Sequence, residues 1–167
     1  MYDEKMVTAL QSAFQNAVSS LRNEHNENFY YYAFIFDEGL RPYISALSYE
    51  AYEKLLIEND VSNDEEGWKW FTFDFPYCAY GYDEFFIEVE NMLLERERGM
   101  SDDELYGVEL DTRIDSMEEA LKRLDKAEFF STDENRKNII INVEVAPPDC
   151  KERQRAIRLN PESSLLS

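Results

Sequence analysis

Any chemistry in this 167-residue chain has to be built almost wholly from carboxylates, because 36 acidic residues stand against 17 basic ones, one histidine and two cysteines. The acids are most closely mixed with an aromatic residue in residues 101 to 111, where Asp102, Asp103, Glu104, Glu109 and Asp111 surround Tyr106. A tyrosine buries a large rigid surface and keeps a polar tip, while carboxylates meet arginine bidentately and lysine as a point charge. Such a segment suits the docking of a basic protein, and it would serve equally as a solvated loop between helices. A second candidate is Asp37 with Glu38 at the expected tip of a hairpin, following Tyr30, Tyr31 and Tyr32, whose alternate side chains could instead be core.

The catalytic constellations are missing. His25 sits in Asn23-Glu24-His25-Asn26-Glu27, at the expected end of a helix, where the helix dipole alone favours a cation-friendly ring. No HExxH, GxSxG or phosphate-binding glycine loop occurs, and five glycines leave little scope for one. Carboxylate pairs such as Asp102 with Asp103 or Glu84 with Glu88 carry little information in so acidic a chain, and Ser101 to Gly107 lacks the alternating oxygen ligands of a calcium loop. The expectation is a binding protein with no catalytic residue, metal or cofactor. A scaffold or adaptor, and a small carboxylate hydrolase, are the alternatives.

The formal charge is −19. Residues 1 to 111 hold 25 acids and 7 bases, whereas residues 112 to 167 hold 11 acids and 10 bases, so an electrostatic docking face belongs to the first two-thirds. Such a surface repels nucleic acid and anionic lipid and favours cationic partners. Cys78 and Cys150 form no CxxC pair or metal-spaced cluster, no signal peptide is visible at Met1, and no apolar run approaches the length of a membrane span. A cytoplasmic, reducing location is expected.

Val7, Leu10, Phe14, Ala17, Val18 and Leu21 recur at three- and four-residue steps, which predicts a helix over 3–24. Phe29 to Phe36 reads as a strand, Asp37-Glu38-Gly39 as a turn with Gly39 free to take positive φ, and Tyr43 to Leu47 as the returning arm. Ser48 is placed to cap a helix running to about Asn59. The aromatic run near 69–75 alternates as a strand does, and Pro76 ends it. A helix from about Asp83 to Arg96 stops at Gly99, Ser101 with Glu104 forms a capping box, and Ser116 with Glu119 offers a second, although apolar spacing from Ile114 points to an earlier start. The β-branched run within 138–145 is expected at the centre of the sheet, and Asp149 with Glu152 to cap a last helix ending before Pro161. The order predicts one α+β domain over 1–161 with a mostly antiparallel sheet, and a tail over 162–167.

Three stretches together resemble a bacterial family catalogued as domain of unknown function 4303: the opening helix leading into Phe29-Tyr30-Tyr31-Tyr32-Ala33-Phe34; the Trp68 to Tyr80 aromatic region with the Phe85 to Leu94 helix; and Glu118 to Asp125, leading through Phe129-Phe130 and the Ile139 strand to Arg155-Ala156-Ile157-Arg158-Leu159-Asn160-Pro161. Members of that family are associated with polymorphic-toxin loci. The resemblance therefore implies an immunity protein that neutralises a cognate toxin domain by occlusion, and the acidic charge favours a basic toxin domain, such as a nuclease.

Overall fold

The computed structural model describes residues 1–60, 69, 76–79, 81–131, 133–163 and 165–166. Helix α1 (Glu4–Glu24) begins where Asp3 accepts a hydrogen bond from the Met6 N–H at 3.0 Å, and it buries the predicted stripe from Val7 to Leu21. A hairpin follows from β1 (Phe29–Phe36) and β2 (Pro42–Ser48), and the Ser48 hydroxyl caps α2 (Tyr49–Glu58). A 3₁₀ turn at Asp83–Phe86 leads into α3 (Ile87–Glu97), which stops short of Gly99 with its φ of 82°. The capping box of Ser101 and Glu104 opens α4 (Asp102–Glu104), which passes through a π-helical turn (Leu105–Glu109) into α5 (Leu110–Lys126). A short α6 (Asp133–Arg136), β3 (Ile140–Val145) and α7 (Glu152–Leu159) complete the order.

The three strands are arranged β2-β1-β3, antiparallel between β1 and β2 and parallel between β1 and β3. The class is α+β, but the sheet is mixed and its central strand is β1. β3, expected at the centre from its β-branched residues, is an edge. It tolerates that position because α7 closes the open side: Arg155 Nε donates to the Val143 carbonyl at 2.6 Å, and the Asn160 side chain meets both the N–H and the carbonyl of Ile141, at 3.0 and 2.7 Å. Unpaired strand edges invite association with other chains, and side chains that bond them remove the template. Beyond β2, backbone bonds from Ala46 to Tyr77 and from Ala79 to Ile44 do the same.

Side chains alternate across a strand, so β1 sends Tyr32, Phe34 and Phe36 to one face and Tyr31, Ala33 and Ile35 to the other. The first set meets α1 and its surroundings: Phe14 lies 4.4 Å from Phe34 between ring centres, and Phe130 lies 5.7 Å from Tyr32. Burying a large apolar side chain contributes about 1.5–3 kcal/mol, and Phe14, Phe34, Leu10 and Leu21 are all fully buried here.

Two local expectations are corrected. In the hairpin turn Leu40, not Gly39, takes the left-handed conformation, with φ of 55°. The strain of about 1 kcal/mol in a non-glycine residue is held by burial of the Leu40 side chain, by its N–H on the Asp37 carbonyl at 3.0 Å, and by Arg113 donating to its carbonyl at 3.1 Å. Ser116 is not a cap, because α5 starts six residues earlier; its buried hydroxyl donates to Thr112 and accepts from the Asp3 N–H. The strand expected near 69–75 lies outside the described residues, Lys69 excepted.

Candidate docking surface

Helix α5 carries Arg113 on the same stripe as Met117, Leu121 and Leu124, and the guanidinium is fully buried. A cation in that position must be bonded on every side. Arg113 Nε donates to Glu109 at 3.0 Å, one Nη to Glu97 at 2.9 Å, and the other to the Leu40 carbonyl. Glu109 also receives two bonds of 2.9 Å from Arg96, whose remaining nitrogen reaches Asp3 at 2.9 Å. Glu97 is gripped by Arg41 at 2.5 and 3.0 Å. Three arginines and three carboxylates thus form one neutral relay from the start of α1, through α3 and α5, to the hairpin.

The relay brings together two segments that are far apart in sequence. Asp37 and Glu38 stand at the hairpin turn, Asp37 accepting from the Arg41 N–H at 2.8 Å, and Arg41 is an end of the relay. Asp102, Asp103, Glu104, Tyr106 and Asp111 flank the π-helical turn whose last residue, Glu109, is at its middle. Glu38, Asp102, Asp103, Glu104 and Asp111 are exposed and Asp37 is half-buried. Because the relay neutralises Arg41 and Arg96 internally, it leaves the outward acids of this end of the molecule uncompensated by those two cations.

Glu109 does not belong to the candidate docking surface. It is 4 % exposed and committed to two arginines, so no partner can reach it without dismantling the relay. Tyr30, Tyr31 and Tyr32 are also removed from the hairpin-tip candidate: all three are buried, and they lie toward the opposite end of β1 from the turn. The structure exposes Tyr106, as the sequence pattern suggests, and adds Val108, which that pattern does not single out. Tyr106 is 55 % and Val108 78 % exposed, raised by the π-helical turn at whose middle Gly107 has φ and ψ of −106°. Such turns inside helices recur at functional sites. A shallow groove of about 1040 Å³ runs nearby between the first turn of α1 and α3, lined by Glu4, Glu88, Leu94, Glu95, Arg96 and Arg98 among others.

The electrostatics follow from these contacts. Hydrogen bonds from Arg41 hold the Glu97 carboxyl below its ordinary value against the opposing effect of burial, and Arg113 adds to the shift. Burial pushes Glu109 upward, but the bonds from Arg96 and Arg113 outweigh it and leave the group lowered. Asp3 is lowered chiefly by the Met6 N–H that it caps. All three are anions near neutral pH. Among the described residues, no group of three or more His, Cys, Asp or Glu side chains could hold a metal ion, and no helix is long and apolar enough to cross a membrane. His25 is the C-cap of α1, its ring 4.9 Å from that of Tyr77.

Residues 10–161 match the family described as Domain of unknown function (DUF4303). The chain belongs to that family. No curated protein and no solved structure matches it. Much of the segment by which the chain resembles other DUF4303 sequences holds the fold: Asn160 brackets Ile141, Arg155 closes β3 while pairing with Asp149 at 2.8 Å, and Arg158 ties α7 to Glu118 of α5. The candidate docking residues of this DUF4303 chain, at the hairpin tip and around the π-helical turn, are none of these.

Proposed function

We propose that this DUF4303 chain is a cytoplasmic binding protein without catalytic turnover, and that its partner is a basic toxin domain which it neutralises by occlusion, as an immunity protein does. The observation that carries the reading is the arrangement at the relay end of the molecule: exposed acids on two segments tied together by a neutral network buried at Arg113 and Glu109, one of the segments also exposing the apolar side chains of Tyr106 and Val108. Hot spots of protein interfaces are typically aromatic side chains within a polar rim. Long-range attraction between an acidic face and a basic one raises association rates to on the order of 10⁸ M⁻¹s⁻¹ at low salt. An inhibitor that must reach its target before damage is done gains most from that speed. A nuclease is a fitting target, since the surface with which it binds a polyanionic substrate is basic and so complements an acidic one.

The test is co-expression of the chain with a candidate basic toxin domain from its genomic neighbourhood, followed by size-exclusion chromatography of the purified pair. Rescue of growth together with a stoichiometric complex supports the proposal. Continued toxicity with no complex contradicts it, and points to an adaptor with another partner.

A further inference from the structure

The outer face of α3 repeats at heptad spacing. Ile87 and Leu94 are 55 % and 48 % exposed, and the residues that follow them, Glu88 and Glu95, are exposed as well. Residues at that spacing lie on one side of a helix, roughly 10 Å apart along its axis. The face therefore shows two apolar side chains in one row and two carboxylates in the row beside it. A single exposed apolar residue needs no explanation. Two of them at heptad spacing, flanked by charges at the same spacing, are the pattern by which one helix receives another.

The space beside this face is open. The groove of about 1040 Å³ between α3 and the first turn of α1 takes its apolar lining from Leu94 and the half-buried Met92, its exposed acids from Glu88 and Glu95, and its exposed bases from Lys5 and Arg98. Over Ile87–Glu97 α3 is roughly 16 Å long, which matches three turns of a docked helix. The charges are unevenly placed. Glu88 lies in the first turn of α3 and Arg98 caps its end, while the bond from Arg96 to Asp3 sets the first turn of α1, with Lys5, beside that same end. Glu4 is drawn away to Arg123 at 2.6 and 2.9 Å, and Arg96 is committed to Asp3 and Glu109. Glu88, Glu95, Lys5 and Arg98 take part in no ion pair among the described residues.

We infer that this groove receives an amphipathic helix of the partner, with apolar side chains on Ile87, Met92 and Leu94 and lysines or arginines on Glu88 and Glu95, a use that rests on the reading of the partner as a basic protein. Laying the apolar face of a helix in a groove is a recurring mode of recognition, with anchors at three-, four- and seven-residue steps. The carbonyl end of a helix carries partial negative charge, so Arg98 and Lys5 favour that end and the docked helix runs parallel to α3. The exposed acids of the π-helical turn and the hairpin tip steer the approach, whereas the apolar contacts in the groove slow departure. Arg96 joins the two surfaces, lining the groove and bonding Glu109 of the π-helical turn. A second copy of this chain is a poor occupant, because it sets the same acidic row and a net charge of −19 against their like.

The probe is a fluorescent peptide about three heptads long, with leucine at heptad spacing, lysine in the flanking rows and alanine elsewhere, and its control is a scrambled peptide of the same composition. Anisotropy follows titration with the full chain, and the methyl signals of Met92 and Leu94 in NMR locate the contact. Saturable one-site binding with movement of both methyl signals, and binding of the scrambled peptide about tenfold weaker or more, is the expected result. Leu94→Ser, at a half-exposed position, should keep the thermal midpoint and weaken the peptide about tenfold. Glu88→Lys with Glu95→Lys should weaken it and flatten its salt dependence. Equal binding of both peptides, unmoved Met92 and Leu94 signals, or undiminished binding by Leu94→Ser overturns the inference, as does self-association of the chain that Leu94→Ser abolishes. These measurements need no toxin domain, so they succeed or fail apart from the proposed function. Where a toxin domain does form a complex, Leu94→Ser should speed dissociation about tenfold at an unchanged association rate; an unchanged dissociation rate overturns the use of the groove and leaves the binding function standing.

Discussion

Replacing Glu109 by glutamine separates a structural acid from an interfacial one. The change keeps the shape and removes a charge that compensates two arginines, one of them fully buried. The new amide nitrogen faces guanidinium N–H groups, so one of the three bonds that Glu109 accepts becomes a donor facing a donor. Removing one partner of a buried ion pair costs about 3–5 kcal/mol. The low end applies here, since Arg113 keeps Glu97 and Arg96 keeps Asp3. A loss of about 3 kcal/mol is a large share of the 5–15 kcal/mol typical of a domain and lowers Tm by about 6–12 °C at this size. Urea unfolding at neutral pH measures it as a fall in midpoint with unchanged slope. A loss below about 1 kcal/mol would falsify the relay as a structural device, and a loss of partner affinity without loss of stability would return Glu109 to the docking surface.

Acid should weaken the fold through the same groups. Glu97, Glu109 and Asp3 are lowered in the folded protein and Asp149 is lowered to about 2, chiefly by Arg155. A depressed carboxyl contributes stability that is complete above its unfolded value and is lost as pH falls through the folded one. The urea midpoint should hold from pH 7 to about 5 and decline below 4.5, the ordinary glutamate value; a midpoint rising over pH 4.5 to 3 would contradict the assignment. Asn160→Ala leaves both backbone groups of Ile141 unbonded and opens the edge of β3. It should cost about 2–4 kcal/mol and promote association visible by light scattering, and a monodisperse variant of full stability would refute the edge-closing role. Tyr106→Ala, by contrast, should change the urea midpoint by less than about 0.5 kcal/mol, because the side chain is more than half exposed, while complex stability with the basic partner falls by about 2 kcal/mol or more.

Local features were the readable part of the fold. The stripe of α1, the Ser48 cap, the capping box at Ser101 and the stop before Gly99 depend on residues within a few positions of one another, and each forms as its spacing implies. The rank of β3 within the sheet depends on what covers its free edge, and Asn160 and Arg155 are polar residues on a later helix that no propensity connects to a strand. The acidic stretch at 101–111 is legible as composition, but composition does not separate the buried Glu109 from its exposed neighbours. Its signal was present: Glu109 and Arg113 stand eight and four residues before Met117, on the helical face that buries Met117 and Leu121. A charge pair on an apolar stripe at that spacing belongs inside. The partnership of Arg113 with Leu40 and Glu97 spans 73 and 16 residues and arises only from tertiary packing.

The central claim is that the exposed acids beside the relay steer a basic protein partner. Stopped-flow association of the chain with the toxin domain, measured from 50 to about 500 mM salt, tests it most directly when run beside a variant with Asp102, Asp103 and Glu104 changed to serine. The account predicts a wild-type rate that falls steeply with salt, a variant that is slower at low salt with a flatter dependence, and convergence of the two at high salt. Superimposable rates across the whole range would contradict it.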